Sequence, residues 1–194
     1  MRFWSFARLA VPAVMILGLI AFALSSAAEK PSGKAAEQIE RGRYLVTICG
    51  CNDCHSPKVM SPHGPLPHPA KLLSGHPAEV KLPEPPTNVM GPDKWAIMAS
   101  MELTAWTGPW GVSYAANLTP DPATGLGGWT EEMFMKTLRT GKHMGTGRQI
   151  LPPMPWEMNG KMKDQDLKDV FAYLKSIPPI KNLVPQPVPP AAGK

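Results

Sequence analysis

Cysteine is scarce in this sequence, and the excess of positive charge is small. The 194 residues contain three cysteines, which is too few for a disulfide scaffold. The formal net charge is +5, and two arginines near the N-terminus supply part of it. Such a balance does not support nucleic-acid binding. The length suits a single domain, and no internal repeat is visible.

A long apolar run is missing from all but the N-terminus, where residues 9–24 follow two arginines. Small residues precede Glu29, so 1–28 is predicted to be a secretory signal peptide and the protein to be periplasmic. The alternative is an uncleaved membrane anchor. The run is shorter than the roughly 20 residues that a span needs, and Pro12 interrupts it. No cysteine follows the run closely, so a lipoprotein anchor is not expected.

The motif Cys51-Asn52-Asp53-Cys54-His55 carries the most specific chemistry in the chain. Two thiols at this spacing can add to the two vinyl groups of one porphyrin, and the adjacent imidazole then lies beneath the iron as its proximal ligand. The motif therefore predicts a single covalent haem c bound by Cys51, Cys54 and His55. Half of a zinc site and a thioredoxin-like redox pair are the alternatives. Cys49 is the only other thiol, so a second pair for zinc is missing, and no alternating strand pattern surrounds the motif.

A haem held by one histidine needs a ligand on the opposite face of the iron. Met154, between prolines in Pro152-Pro153-Met154-Pro155, is the predicted ligand because the flanking rings stiffen its backbone. Met144, His143 and an open site are the alternatives. With a thioether bound, the iron has six ligands and a relatively high reduction potential, which suits the transfer of single electrons.

Three helices are predicted from apolar periodicity and from end signals. The first covers about 35–49, the second runs from Thr130 as N-cap to Gly141 at its end, and the third covers about 164–176. We expect the first and third helices to cross at Gly42, where the missing side chain lets another backbone approach. The 24 prolines and 17 glycines predict long irregular connections between these helices.

Several stretches resemble class I c-type cytochromes, especially cytochrome subunits of bacterial periplasmic dehydrogenases and respiratory chains. They are Gly42-Arg43-Tyr44-Leu45, the Cys51 to His55 motif, Asn117-Leu118-Thr119-Pro120-Asp121, Thr124-Gly125-Leu126-Gly127-Gly128-Trp129-Thr130, Leu138-Arg139-Thr140-Gly141-Lys142-His143, Pro153-Met154-Pro155-Trp156 and Tyr173-Leu174-Lys175. They occur in the order found in that family and cover most of the chain between Ala35 and Pro179.

The resemblance implies a small all-α class I cytochrome c fold at 29–180, wrapped around one haem with His55 proximal and Met154 distal. The chain departs from the family by a long, irregular, proline-rich insertion at 56–115. A proline-rich tail follows at 181–194. In the family, a proline carbonyl before the asparagine accepts a hydrogen bond from the proximal imidazole, which fixes the ring orientation. Ala116 occupies that position here, so we expect its carbonyl to accept the same bond.

Four further side chains have the chemistry of metal ligands. Cys49 lies on the apolar stripe of the first helix, so we expect a small core residue rather than a ligand. His63, His68 and His76 lie in the insertion at irregular spacing. Copper, nickel or zinc would suit imidazole ligands, but without a local acidic or thiol partner these histidines are interpreted as solvated loop residues.

The resemblance implies that the chain transfers electrons rather than catalysing a reaction. The expected partners are redox proteins: a dehydrogenase or quinol oxidase as donor, and a respiratory complex or oxidase as acceptor. Membrane association could come from the N-terminal segment or from a membrane complex. The alternative function is a peroxidase-like or thiosulfate-oxidising haem protein with an exchangeable distal ligand. An apolar patch from Trp95 to Trp110 is interpreted as cover for the haem edge, with partner docking as its alternative.

Overall fold

The computed structural model describes Met1 and two stretches of the chain, 33–86 and 89–190. The predicted signal peptide lies outside the described residues apart from Met1, as does the end of the tail. Within these stretches the helices are α1 (Lys34–Ile48), α2 (Cys51–His55), α3 (Glu131–Thr140), α4 (Trp156–Asn159) and α5 (Asp164–Ser176). The strands are β1 (Lys58–Ser61), β2 (Gly64–Pro67), β3 (Met98–Ala99), β4 (Ala105–Gly108) and β5 (Gly111–Tyr114). None of the helices described is long and apolar enough to cross a bilayer.

The three predicted helices are confirmed as α1, α3 and α5. Thr130 precedes α3, and its Oγ1 accepts a hydrogen bond from the backbone N–H of Met133 at 3.1 Å, as expected of an N-cap. Gly141 ends α3 with a φ of 66°, a left-handed conformation that glycine adopts without a Cβ clash. α5 ends at Ser176, shortly before Pro178, which cannot continue a helix.

α1 and α5 cross in direct backbone contact at Gly42, as predicted. A Cβ at Gly42 would lie 1.9 Å from the carbonyl oxygen of Asp169 and 2.8 Å from the Cβ of Tyr173. Phe171 and Leu174, on the same helix as Asp169, are buried in the core beside the crossing. The buried apolar cluster consists of Leu45, Val46, Leu73, Leu126, Phe134, Leu138, Leu167, Val170, Phe171 and Leu174. The core therefore lies between the three predicted helices and also includes one residue of the insertion.

The prediction of an all-α fold is wrong. The insertion forms two small antiparallel sheets, a β1–β2 hairpin and a three-stranded sheet in which β4 lies between β3 and β5. The prediction that the insertion is irregular is corrected by the same finding. In the larger sheet, Gly108 pairs with Gly111 across a two-residue turn at Pro109 and Trp110.

The side chains of β5 explain why its alternation was missed. Gly111 and Ser113 are buried, whereas Val112 and Tyr114 are only half-buried. The positions that face inward thus carry the smaller, less apolar residues, which is the reverse of the hydrophobic alternation that identifies a half-buried strand. Tertiary packing decides the structure of this segment more than its own composition does.

The tail of the chain continues beyond α5 as an extended segment against the insertion. Val188 exchanges two backbone hydrogen bonds with Val112 of β5, at 2.8 and 2.9 Å. Closer to α5, the Asn182 side-chain amide donates to the carbonyls of Ser74 and His76 at 2.7 and 2.9 Å. These contacts hold residues of the tail and the insertion together.

Candidate functional site

The Cys-x-x-Cys-His motif lies on α2, a single helical turn that follows α1 directly. Gly50 makes the connection with a left-handed backbone, at a φ of 65°. Cys51 and Cys54 are three residues apart, so they lie on one face of the turn. Both thiols are half-buried, and neither forms a disulfide. α2 therefore presents two thiols to one side and His55 at its C-terminal end.

The electrostatics of these thiols argue against a thioredoxin-like redox pair. Burial raises the pKa of Cys51 to about 12, and it also raises the pKa of Cys54. A redox-active cysteine is favoured by a lowered pKa, which supplies the reactive thiolate. The Cys49 pKa is raised as well, mainly by burial. Cys49 is half-buried at the end of α1, at the margin of the core rather than inside it.

The ring of His55 is oriented by a backbone carbonyl. Its Nδ1 lies 2.8 Å from the carbonyl oxygen of Ala116, and because a carbonyl can only accept, Nδ1 carries the hydrogen. This confirms the hydrogen bond expected for Ala116. Burial lowers the pKa of His55, which favours the neutral ring. With Nδ1 protonated, the lone pair lies on Nε2, so His55 has the tautomer of a metal-binding imidazole with a fixed orientation.

Lys58 is a charged residue of the site that our sequence interpretation missed. Its ammonium group donates to the carbonyls of Asn52, Asp53 and Ser56, at 3.2, 2.9 and 2.5 Å. It therefore caps the C-terminal end of α2, where carbonyls lack helical partners and a positive charge is favourable. Burial lowers the pKa of Lys58. A basic residue shortly after the helix was the available sequence signal.

Met154 lies in the loop before α4 and is half-buried. Its side chain packs against the buried apolar cluster, as does that of Cys51. The same core therefore supports the Cys-x-x-Cys-His motif and the loop at 149–155 that carries Met154, called the methionine loop below. A concave surface around Met154 is lined by residues between Gln149 and Glu157. Of the alternatives, Met144 is exposed, and His143 makes an edge-on contact with Trp129 at 5.1 Å.

The three insertion histidines have different environments. His63 is exposed, and His68 uses Nδ1 to accept a hydrogen bond from the backbone N–H of Ala70. His76 is buried, contrary to the expectation of a solvated loop residue, and its Nδ1 lies 2.9 Å from Oγ1 of Thr104. The described part of the chain contains no group of three or more His, Cys, Asp or Glu side chains that could hold a metal ion.

Comparison with known proteins adds evidence that is independent of the geometry. No family model matches the chain. The fructose dehydrogenase cytochrome subunit of Gluconobacter japonicus is 33% identical over 144 residues, which are 74% of this chain and 22% of that protein. The chain is related to cytochrome c subunits of bacterial dehydrogenases. The alcohol dehydrogenase (quinone) cytochrome c subunit of Gluconobacter oxydans is 26% identical over 157 residues, 81% of this chain and 24% of that protein.

The relationship extends over most of the chain but over a small part of each relative. A nicotinate dehydrogenase subunit of Pseudomonas putida is 29% identical over 189 residues, which are 94% of this chain and 13% of that protein. The chain thus spans about a quarter or less of the length of these relatives. The sequence similarity to cytochrome c subunits implies that this chain binds haem c and takes part in electron transfer.

The residues present fit such a haem. α2 offers two thiols on one face, and His55 offers a neutral imidazole whose Nδ1 is bonded to the Ala116 carbonyl. A thioether in a half-buried loop is the soft donor that a cytochrome uses opposite histidine. This donor set suits covalent haem c better than zinc, which would need further nitrogen or sulfur ligands.

Proposed function

We propose that the chain is a periplasmic electron carrier with one haem c, attached through Cys51 and Cys54 and ligated by His55 and Met154. The observation that carries the proposal is the geometry of α2. One helical turn presents both thiols on one face, and the Ala116 carbonyl, 2.8 Å from Nδ1, directs the lone pair of His55 away from the backbone. When bound, the haem supplies a one-electron iron couple.

The remaining chemistry belongs to the protein. The hydrogen bond from His55 to the Ala116 carbonyl increases the basicity of the imidazole and prevents the ring from rotating. The Met154 thioether would hold the iron together with His55 and would favour its ferrous state. With both residues bound, the iron would have no site for a small substrate, so the haem would supply electron transfer rather than substrate activation.

The Lys58 ammonium is a second group that affects the reduction potential. It lies against the carbonyls of α2, in the same turn as the haem-binding thiols. A positive charge on the turn that carries the haem-binding thiols would disfavour the more positive ferric state. Lys58 would therefore raise the reduction potential, in the same direction as the methionine.

The names of the relatives suggest the partner. They are described as cytochrome subunits of fructose, alcohol and gluconate dehydrogenases, so we propose that this chain accepts electrons from a dehydrogenase and passes them to a downstream acceptor. Export by the signal at 1–28 places it where haem c is attached, outside the cytoplasmic membrane.

The attachment is tested by thiol substitution in the protein produced with haem-attachment machinery. We expect the double variant Cys51→Ser/Cys54→Ser to lose covalent haem, measured as the intact mass of the denatured protein and as haem staining after denaturing electrophoresis. Cys49→Ser is the matched control, because it removes the third thiol at the end of α1, and it should keep the haem. Covalent haem in the double variant, or its loss in Cys49→Ser, would contradict the proposed attachment.

A further inference from the structure

One extended segment, residues 111–116 at the end of the insertion, contacts both stretches that carry the proposed haem ligands His55 and Met154. Ser113, in β5, donates its Oγ–H to the carbonyl of Pro152 at 2.6 Å, two residues before Met154. Three residues further along, the carbonyl of Ala116 accepts the hydrogen bond from His55. In extended backbone, three residues span about 10 Å, so a short rigid element connects the two sides of the site.

The Ser113 hydroxyl is held in a defined orientation. It is buried, and it accepts a hydrogen bond from the indole N–H of Trp110 at 3.2 Å while donating to Pro152. Its single hydrogen is thus committed to the Pro152 carbonyl. A hydroxyl with one donor and one acceptor bond has little rotational freedom left. The methionine loop is therefore tied to β5 at one specific carbonyl.

The proximal end of the segment is held equally closely. Gly75 donates its N–H to the backbone carbonyl of His55 at 2.8 Å, and His76 donates to the carbonyl of Ala115 at 2.9 Å. A Cβ at Gly75 would lie 2.6 Å from the Ala116 carbonyl carbon and 2.8 Å from its oxygen. Only a glycine at position 75 lets this loop approach the carbonyl that orients the imidazole.

β5 itself is fixed from both sides. It pairs with β4 along its length, and Val112 exchanges two backbone hydrogen bonds with Val188 of the tail. Ala115, directly after β5, donates to the carbonyl of Thr104 at 2.8 Å. A segment with partners on each edge cannot shift without breaking several hydrogen bonds, so it can act as a fixed reference for both loops.

We infer that residues 111–116 position both proposed haem ligands, His55 and Met154. Ser113 fixes the loop that carries Met154 through its hydrogen bond to Pro152. Gly75 leaves room for the Ala116 carbonyl to accept its hydrogen bond from His55. The inference rests on the proposed function, because it takes His55 and Met154 as the ligands. It gives the insertion a role in holding the site together. Ser113 and Gly75 are positioning residues, since each acts through a backbone carbonyl.

The distal half is tested with Ser113→Ala in the protein with haem attached. Losing this buried hydrogen bond favours release of the methionine from the iron by about 1.4 kcal/mol, roughly tenfold in an equilibrium constant, so the reduced variant should bind carbon monoxide at concentrations at which reduced wild type does not. Ferric haem ligated by methionine has a weak far-red absorption band, and in the oxidised variant this band should weaken. Ser113→Thr keeps the hydroxyl, so it should keep the far-red band and should exclude carbon monoxide as wild type does. Ser61→Ala is the matched control, because it removes a 2.7 Å hydroxyl-to-carbonyl bond in the other sheet.

The proximal half is tested with Gly75→Ala against Gly64→Ala. Both glycines have a positive φ, 80° and 106°, but a Cβ at Gly64 would meet no atom within 4 Å. Displacing the Ala116 carbonyl weakens its bond to the imidazole, which lowers ligand basicity. The reduction potential of Gly75→Ala should therefore rise above that of wild type, whereas that of Gly64→Ala should not.

Met154→Ala separates failure of this inference from failure of the proposed function. If Met154→Ala gains carbon monoxide binding while Ser113→Ala behaves like wild type, or like Ser61→Ala, the positioning role of Ser113 is wrong and the ligand assignment stands. An unchanged potential in Gly75→Ala would contradict the proximal role in the same way. If Met154→Ala binds carbon monoxide no better than wild type, the ligand assignment fails and the distal inference with it.

Discussion

Replacing Gly42 by alanine tests the helix crossing on which the core depends. The new Cβ would lie 1.9 Å from the Asp169 carbonyl oxygen, whereas an ordinary contact begins near 3.4 Å. The two helices would have to separate by about 1.5 Å to relieve it. Because the obstacle is backbone, no rotamer change can do so, and we assign about 3 kcal/mol, the upper end of the usual overpacking cost. Alanine recovers about 1 kcal/mol through its higher helix propensity.

We therefore expect Gly42→Ala to lower the free energy of unfolding by about 2 kcal/mol. The assay is equilibrium denaturation of the haem-containing protein, followed by far-ultraviolet circular dichroism. Gly128→Ala is the control, because a Cβ there meets no atom within 4 Å, and its stability should stay close to that of wild type. If Gly42→Ala is as stable as wild type, the close crossing of α1 and α5 is wrong.

Three further predictions concern charge, pH and helix capping. Lys58→Met should lower the reduction potential, measured by redox titration, because it removes a positive charge from the end of α2; an unchanged potential would contradict its proposed role. Burial lowers the pKa of His76, so the unfolded chain binds a proton more readily than the folded one, and stability should fall as the pH drops below about 6.5. His76→Gln should reduce that pH dependence in denaturation curves measured between pH 7.5 and 5, and an equal slope would refute the assignment. Thr130→Ala should cost about 1 kcal/mol in the same denaturation assay. Thr146→Ala should cost less, because the backbone N–H of Thr146, and not its side chain, makes the hydrogen bond at the end of its turn.

Sequence reasoning located the helices because their signals are local. Periodicity and end residues such as Thr130 and Gly141 act within one turn, and the role of Gly42 follows from its position on a helical stripe. The hydrogen bond to Ala116 was expected from the resemblance to cytochromes, because any residue supplies a carbonyl.

The sheets escaped prediction because their determinants are not local. In β5 the buried position 113 is a serine, because its hydroxyl donates a hydrogen bond to the carbonyl of Pro152, which is distant in the sequence. The strand therefore shows no apolar alternation. Val188 pairs with Val112 although α3, α4 and α5 lie between them in the sequence. His76 is buried through its contact with Thr104, a partner that its sequence surroundings do not reveal. Such positions are specified by the assembled fold rather than by neighbouring residues.

We propose that Met154 completes the coordination of a haem carried by the Cys-x-x-Cys-His motif. The most direct test of this ligation is the absorption spectrum of the oxidised and the carbon monoxide-treated reduced protein, for wild type and Met154→Ala. We predict that wild type has the far-red methionine band and does not bind carbon monoxide, and that Met154→Ala loses the band and binds the gas. Carbon monoxide binding by the reduced wild type would show an open distal site and contradict the account.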